Sequence, residues 1–210
     1  MARRMIILGA VSAVLGCGSS AATEDVAAPP SPLPVGAILG VEISVYPLTM
    51  ILAEAELGWD EQISPRNEAL RRADSLLEVA LTERAPEVTW VLPDELRRAA
   101  RTAPGLLTDP DRMATSVLRN NVRKIPDPLW SQMRKLTGVV GDRLALVPAS
   151  LFFFADSLGR GRAELTVVLA EVRLGEVRWR TVAKGTGDTP WEALEAALET
   201  LAPLPSGGRP

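Results

Sequence analysis

The stretch RAELTVVLAEVRLGEVRWRTVAKGTGDTPWEALEAALETLA, residues 162–202, decides the fold. Its first half contains two runs rich in β-branched side chains, residues 162–174 and 177–185, separated by the turn Gly175-Glu176. Such runs around a glycine turn predict an antiparallel hairpin. In the second run Val177 and Trp179 alternate with Arg178 and Arg180, so we expect one face to be buried and the other to be wet.

The second half of the same stretch predicts a helix that closes the domain. Thr189 is followed by Pro190 and, three positions after the threonine, by Glu192, which is the pattern of a capping box. Apolar residues then recur at the spacing of one buried helix face, at Leu194, Ala197, Leu198 and Leu201.

Upstream, short strand-like runs alternate with amphipathic helices. Strands are predicted at 40–48, 87–92 and 143–154, and Gly138 is expected to stop a helix. Three further helix starts repeat the order of a capping residue followed by proline: Ser64-Pro65, Asp109-Pro110 and Asp127-Pro128. This order of elements predicts an α/β domain whose mixed sheet ends in a C-terminal antiparallel meander, with helices packed against it.

The first sixteen residues have the features of a secretory signal. Arg3 and Arg4 precede an apolar run from Met5 to Leu15, which is too short to span a bilayer. The segment 14–17, which ends in Gly16-Cys17, resembles a bacterial lipobox. The resemblance implies cleavage between Gly16 and Cys17 and acylation of Cys17, with palmitate as a typical chain. The alternative is an ordinary signal peptide in which Cys17 stays unmodified.

The rest of the N-terminus predicts a tether. Residues 17–35 are rich in alanine, proline and serine without an apolar period, so we expect a lipidated cysteine and a disordered linker. A single domain then covers 36–202, and 203–210 forms a disordered tail. Anchoring by acyl chains would hold the protein on a membrane without spanning it. Gly18 follows the anchor, and by resemblance to the known sorting rule this favours the outer membrane over the inner one.

Composition excludes several kinds of chemistry. The chain has no histidine and one cysteine, which removes Ser–His and Cys–His nucleophiles and histidine–cysteine zinc sites. The formal net charge is −3, whereas nucleic-acid binders usually carry a strong basic surface. We therefore expect no enzyme, no cofactor, no metal site and no nucleic-acid partner.

A few clusters could still form a site. The acidic pairs are Asp60-Glu61, Asp94-Glu95 and Asp109/Asp111, which are more simply interpreted as turn and helix-start charges. Arg97, Arg98 and Arg101 crowd one helix and form a candidate partner surface for an anionic protein or lipid headgroup; the alternative is a solvated face. Gly159-Arg160-Gly161 is interpreted as a hairpin turn and not as a phosphate loop.

The run Phe152-Phe153-Phe154 lies in a predicted strand, so its side chains cannot all point one way. At least one phenylalanine must face away from its neighbours, into a second layer or a partner surface. We favour a strand that is buried on both sides.

The C-terminal 70 residues resemble a group of envelope lipoprotein domains. The group comprises relatives of the curli-secretion lipoprotein, the LpoB-type activators of peptidoglycan synthases and the N-terminal domain of TolB. The likeness lies in a strand, a glycine turn, a tryptophan-bearing strand and a helix: Leu165–Arg173, Gly175, Val177–Trp179 and Trp191–Leu201. Residues 141–153 resemble the preceding strand, and 41–48 do so more loosely.

The resemblance implies a non-enzymatic lipoprotein that faces the periplasm and binds an unidentified envelope protein. No active-site residue can be carried over. The chain lacks the paired amphipathic hairpins of the curli channel, the long tether of the LpoB type and the propeller of TolB. The alternatives are an oligomeric secretion-type scaffold, which an exposed sheet edge would favour, and an envelope enzyme, which a pocket of convergent carboxylates would favour.

Overall fold

The computed structural model describes residues 31–156 and 159–204. They form an open, six-stranded mixed sheet with helices on both faces, which confirms the predicted α/β class. The strands are β1 (Glu42–Val45), β2 (Ile51–Ala53), β3 (Thr89–Val91), β4 (Leu144–Ala155), β5 (Gly161–Glu171) and β6 (Glu176–Gly187). The helices are α1 (Val35–Ile38), α2 (Arg66–Arg84), α3 (Pro93–Thr102), α4 (Leu129–Val140) and α5 (Pro190–Leu201), with 3₁₀ turns at Ala55–Leu57, Pro110–Arg112 and Thr115–Arg119.

The strand order is β3-β1-β4-β5-β6. β1 runs parallel to both β3 and β4, whereas β4, β5 and β6 form the predicted antiparallel meander. The strand predicted at 40–48 is shorter, since β1 covers only Glu42–Val45, and it lies beside the start of β4. β2 was not predicted, and it lies beside the later part of β4, where Leu52 is opposite Phe152. Gly159 and Gly161 lie at the β4–β5 hairpin, which confirms the turn interpretation.

The first face of the sheet is covered by α2 and α5. The apolar residues predicted on α5 are all buried in this core, together with Phe153 and Trp59. β6 approaches α5 so closely that a Cβ atom on Gly185 would lie 2.1 Å from the backbone nitrogen of Ala197. A glycine is therefore required where the strand meets the helix.

The second face of the sheet is covered by α3, α4 and the 3₁₀ turns. Its core includes Tyr46, Ala145, Val147 and Val168 from the sheet and Met133 from α4. These sheet residues come from one end of the long meander. The helices thus cover the second face at one end only, and this partial cover defines the candidate site described below.

The helix starts were predicted with mixed success. The Thr189 cap is confirmed, because its Oγ1 accepts the backbone N–H of Glu192 at 3.2 Å, and the Glu192 carboxylate accepts the N–H of Asp188 at 3.0 Å. Asp109 caps only a 3₁₀ turn, and Ser64 makes no capping hydrogen bond. The prediction for Gly138 is wrong: α4 continues to Val140 and ends at Gly141, whose φ of 103° few other residues adopt.

At the N-terminus, residues 31–35 of the predicted tether are among the described residues. Leu33 is buried in the first-face core, and its N–H donates to the carbonyl of Leu201 at 2.8 Å. The signal segment, the Gly16-Cys17 cleavage site and most of the tether lie outside the described residues. Across 31–156 and 159–204, no helix is both long and apolar enough to cross a membrane.

Candidate functional site

Arg97 is the centre of a charge cluster that cross-links four parts of the fold. Its guanidinium contacts Asp74 of α2 at 2.6 Å, Asp94 of its own helix at 2.9 Å and Asp111 of a 3₁₀ turn at 2.8 Å. The other Asp74 oxygen accepts the N–H of Leu48 at 2.8 Å, which ties in the loop after β1. Arg97 therefore holds α2, α3 and two loops together.

Electrostatics within this cluster reflect its burial. Hydrogen bonding, most strongly to Asp111, raises the pKa of Arg97 above its ordinary value, although burial opposes this shift. Burial raises the pKa of Asp74 to about 6, and hydrogen bonds from Leu48 and Arg97 oppose that shift. A buried pair of this kind is costly to break, because the remaining charge would be left without a partner.

The three arginines predicted as one partner surface are divided by the structure. Arg97 is committed to internal ion pairs. Arg101 faces a cavity of about 520 Å³ that Arg71 and Arg112 also line. Arg98 lies apart, in a shallower depression of about 350 Å³ that contains Glu42 and Glu95. A helix rotates about 100° per residue, so neighbouring positions on α3 point in different directions.

The predicted acidic pairs have structural roles. Asp94 and Asp111 converge on Arg97, and this convergence includes Asp74, which the sequence analysis missed. Asp109 caps the N–H of Asp111 at 3.1 Å. Asp60 and Glu61 are exposed in a turn. Each of the three carboxylates around Arg97 is thus held in an ion pair with it, and they do not form a free acid–base pair.

A second carboxylate group lies near the start of β4. Burial, followed by the charges of Glu42 and Glu95, raises the pKa of Asp142 to about 6. Ser44 donates a hydrogen bond to Asp142, but Ser44 is completely buried in the sheet. A serine without solvent access cannot meet a substrate. Within the described ranges, no three carboxylate or cysteine side chains are grouped so that they could hold a metal ion.

The three adjacent phenylalanines point to opposite faces of β4. Phe153 is 1 % exposed and packs edge-on against Trp59, with ring centroids 5.5 Å apart. Phe152 and Phe154 lie on the second face, partly exposed, with centroids 6.0 Å apart. Neither ring belongs to the core that α3 and α4 cover. The expectation of a strand buried on both sides is therefore confirmed for residues 145–151 and fails at Phe152 and Phe154, which are partly exposed.

We call this uncovered part of the second face the open face. It consists of two cross-strand rows of side chains. One row runs Leu52, Phe152, Glu164, Lys184, and the next runs Phe154, Arg162, Thr186. Leu52 is 48 % exposed. The open face thus presents three neighbouring apolar side chains, because Leu52 is opposite Phe152 and Phe152 is next to Phe154.

Arginines flank the apolar centre of the open face. Arg119 lies over Phe152 at 5.7 Å, and Arg162 lies over Phe154 at 5.8 Å. Glu164 is the acidic member of the two rows and pairs with Arg162 at 3.1 Å and Lys184 at 3.2 Å. The open face is therefore basic on a chain whose net charge is −3. Exposed aromatic rings with neighbouring arginines are the composition of binding hot spots in protein interfaces.

Sequence reasoning identified part of the open face. The triple phenylalanine showed that a ring must point away from the first-face core. Leu52, Arg119 and Arg162 were missed, because they come from separate segments and no local spacing links them. The part of the sheet that the helices leave uncovered also depends on tertiary packing, which no local sequence pattern indicates.

Comparison with known proteins was made at two levels. No protein-family model and no curated protein matches the sequence. Among solved structures, the C-terminal domain of LpoB from Escherichia coli matches with 17% identity and a TM-score of 0.40, over 71% of this chain and 84% of that one.

Two further solved structures match over similar lengths. The PelC dodecamer from Paraburkholderia phytofirmans matches with 15% identity and a TM-score of 0.38, over 85% of this chain and 96% of that one. Lipoprotein GNA1162 from Neisseria meningitidis matches with 13% identity and a TM-score of 0.32, over 70% and 81%. One of these structures, LpoB, belongs to the lipoprotein group that the sequence resembles.

Proposed function

We propose that this chain is a non-enzymatic lipoprotein of the cell envelope that binds a protein partner through its open face. Cys17 carries the lipid anchor, and the domain faces the periplasm from the outer membrane. The observation that carries the binding role is the pair Phe152 and Phe154, which are partly exposed and belong to neither core of the sheet. Together with the exposed Leu52 they form an apolar patch, and contiguous apolar patches on a surface mark interaction sites.

The partner is expected to be a folded envelope protein with an apolar patch bordered by acidic side chains. Leu52 and the two phenylalanines supply the apolar centre, and Arg119 and Arg162 supply positive charge around it. Complementary charge would speed the encounter and fix its orientation, whereas the buried rings would supply most of the affinity.

A double substitution tests the role of the open face. A tagged F152S/F154S protein is expected to lose its envelope partner in cross-linking followed by mass spectrometry, while remaining folded by circular dichroism. The control is V79S, which changes a residue that is 49% exposed on α2, on the other side of the sheet. Partner recovery that is equal for the two variants would exclude the open face as the binding site.

The anchor requires a separate test. Replacing Cys17 by serine should release the domain from membranes in cell fractionation, because the acyl chains would be missing. A C17S protein that still sediments with membranes would contradict the proposed anchor and leave the open-face proposal intact.

An oligomeric scaffold is the second candidate, and the outer edge of β6 favours it. β6 is the last strand of the sheet, and from Arg178 to Gly187 no described strand pairs with that edge. Unpaired edges can add a strand from another chain. Self-association measured by light scattering, and abolished by proline at an edge position of β6, would support this candidate.

A further inference from the structure

One cavity of the described chain is lined by four arginines. It has a volume of about 520 Å³ and lies between α2, α3 and the loop 104–112. Arg71, Arg97, Arg101 and Arg112 border it, and Ala100 and Leu107 contribute apolar surface. This volume falls within the range of small-molecule sites.

The arginines of the cavity differ in how they are neutralised. Arg97 is held by Asp74, Asp94 and Asp111 and serves as a fixed part of the wall. Arg71, Arg101 and Arg112 are exposed and make no ion pair with any residue in the described part of the chain. Three guanidinium groups without a carboxylate partner therefore border one cavity.

The acidic side chains at the cavity are accounted for. Asp111 is bound to Arg97, and Asp109 accepts the N–H of Asp111. A neighbouring depression, which shares Arg71, Arg97 and Arg101, adds Asp74, Asp94 and Glu78; the first two are bound to Arg97. The lining of the cavity itself contains four arginines and two aspartates. Because Arg97 is already shared by three aspartates, the positive charge that a ligand can meet is that of Arg71, Arg101 and Arg112.

We propose that this cavity binds a phosphate group, carried by a small soluble molecule or by a lipid headgroup. Guanidinium groups donate paired hydrogen bonds to phosphate oxygens, and a phosphate can use three such donors where a carboxylate has only two oxygens. Ala100 and Leu107 would contact the less polar part of the ligand. The proposal rests on residues separate from the open face, so its failure would leave the proposed function unchanged.

Titration of the full-length protein in neutral detergent micelles tests this site. Inorganic phosphate, glycerol 3-phosphate and dihexanoyl-phosphatidylglycerol are added separately, and binding is followed by calorimetry. Dihexanoyl-phosphatidylcholine is the zwitterionic control, because the charge of its phosphate is balanced by its own ammonium group. We expect saturable binding that R101Q or R112Q weakens by about tenfold or more, because each variant removes charge-assisted hydrogen bonds.

The matched control is R98Q, which removes an exposed arginine from the same helix but from outside the cavity. It should leave the affinity unchanged. Preference for glycerol 3-phosphate would identify a soluble ligand, and preference for the phosphatidylglycerol would identify a headgroup. Absence of saturable binding by all three phosphate probes, or equal losses in R98Q and R101Q, would overturn the proposal.

Discussion

Alanine substitutions at the three adjacent phenylalanines should separate stability from binding. Phe153 is 1% exposed and contacts Trp59 edge-on, so F153A removes a complete core side chain and leaves a cavity. Substitutions of this kind cost about 3–5 kcal/mol. Phe152 and Phe154 are partly exposed, and water can fill the space that they leave. We expect F152A and F154A to cost ~1–2 kcal/mol each, less than the full transfer free energy of a buried phenylalanine.

Urea unfolding of the full-length protein in detergent measures these costs by linear extrapolation. Partner binding is measured by cross-linking at a temperature where every variant is folded. The variants that lose least stability should lose most binding. F152A and F154A should lose the partner, whereas F153A should retain it. The assignment of these side chains to the two faces of β4 would be refuted if F153A proved no less stable than F152A.

Three further predictions concern the scaffold. G138A should stabilise α4 by ~0.5–1 kcal/mol, because a Cβ atom at this position meets no neighbour. G185A should be strongly destabilising, because its Cβ atom would clash with Ala197 of α5. The midpoints of thermal unfolding of the two variants should therefore shift in opposite directions. R97Q should lower the free energy of unfolding by ~3–5 kcal/mol, because Asp74 would stay buried without its cation. R98Q changes an exposed residue and should lower it by less than ~0.5 kcal/mol. Similar decreases for the two variants in chemical denaturation would contradict the ion-pair cluster. The raised pKa of Asp142, about 6 against 3.8, means that the folded state binds more protons between those values, so stability should fall as the pH rises through this window. D142N should remove that part of the pH dependence. Above pH ~6 it should be more stable than the unsubstituted protein by ~1 kcal/mol, after allowance for solvent screening. Free energies of unfolding of both proteins, measured at several pH values, test this expectation.

The elements that were predictable from sequence are those with local signals. The β5–β6 hairpin follows from the β-branched runs on both sides of Gly175, and α5 follows from Thr189, Glu192 and a regular apolar stripe. The strand β2 was not predicted. Both β1 and β2 are apolar, and their separation reflects pairing with different parts of β4, about 100 residues away in sequence.

The candidate site shows the same division. The phenylalanine run contains a local signal, since side chains alternate along a strand. Apart from Asp94, nothing near Arg97 in the sequence indicated its ion-pair partners, because the other two lie on α2 and in a 3₁₀ turn. The separation of Arg98 from Arg101 could be inferred from helical geometry, but which side of α3 would be buried depends on where the helix packs.

The most direct test of the central claim is a site-specific photo-cross-linking measurement in living cells. A photoreactive amino acid replaces Leu52 on the open face, and the control replaces Val79 on α2; both native side chains are about half exposed. The account predicts that the probe at position 52 forms an adduct with one envelope protein, identified by mass spectrometry and absent for position 79. Adducts only with other copies of this chain, or the same adducts from both positions, would contradict a partner-binding role of the open face.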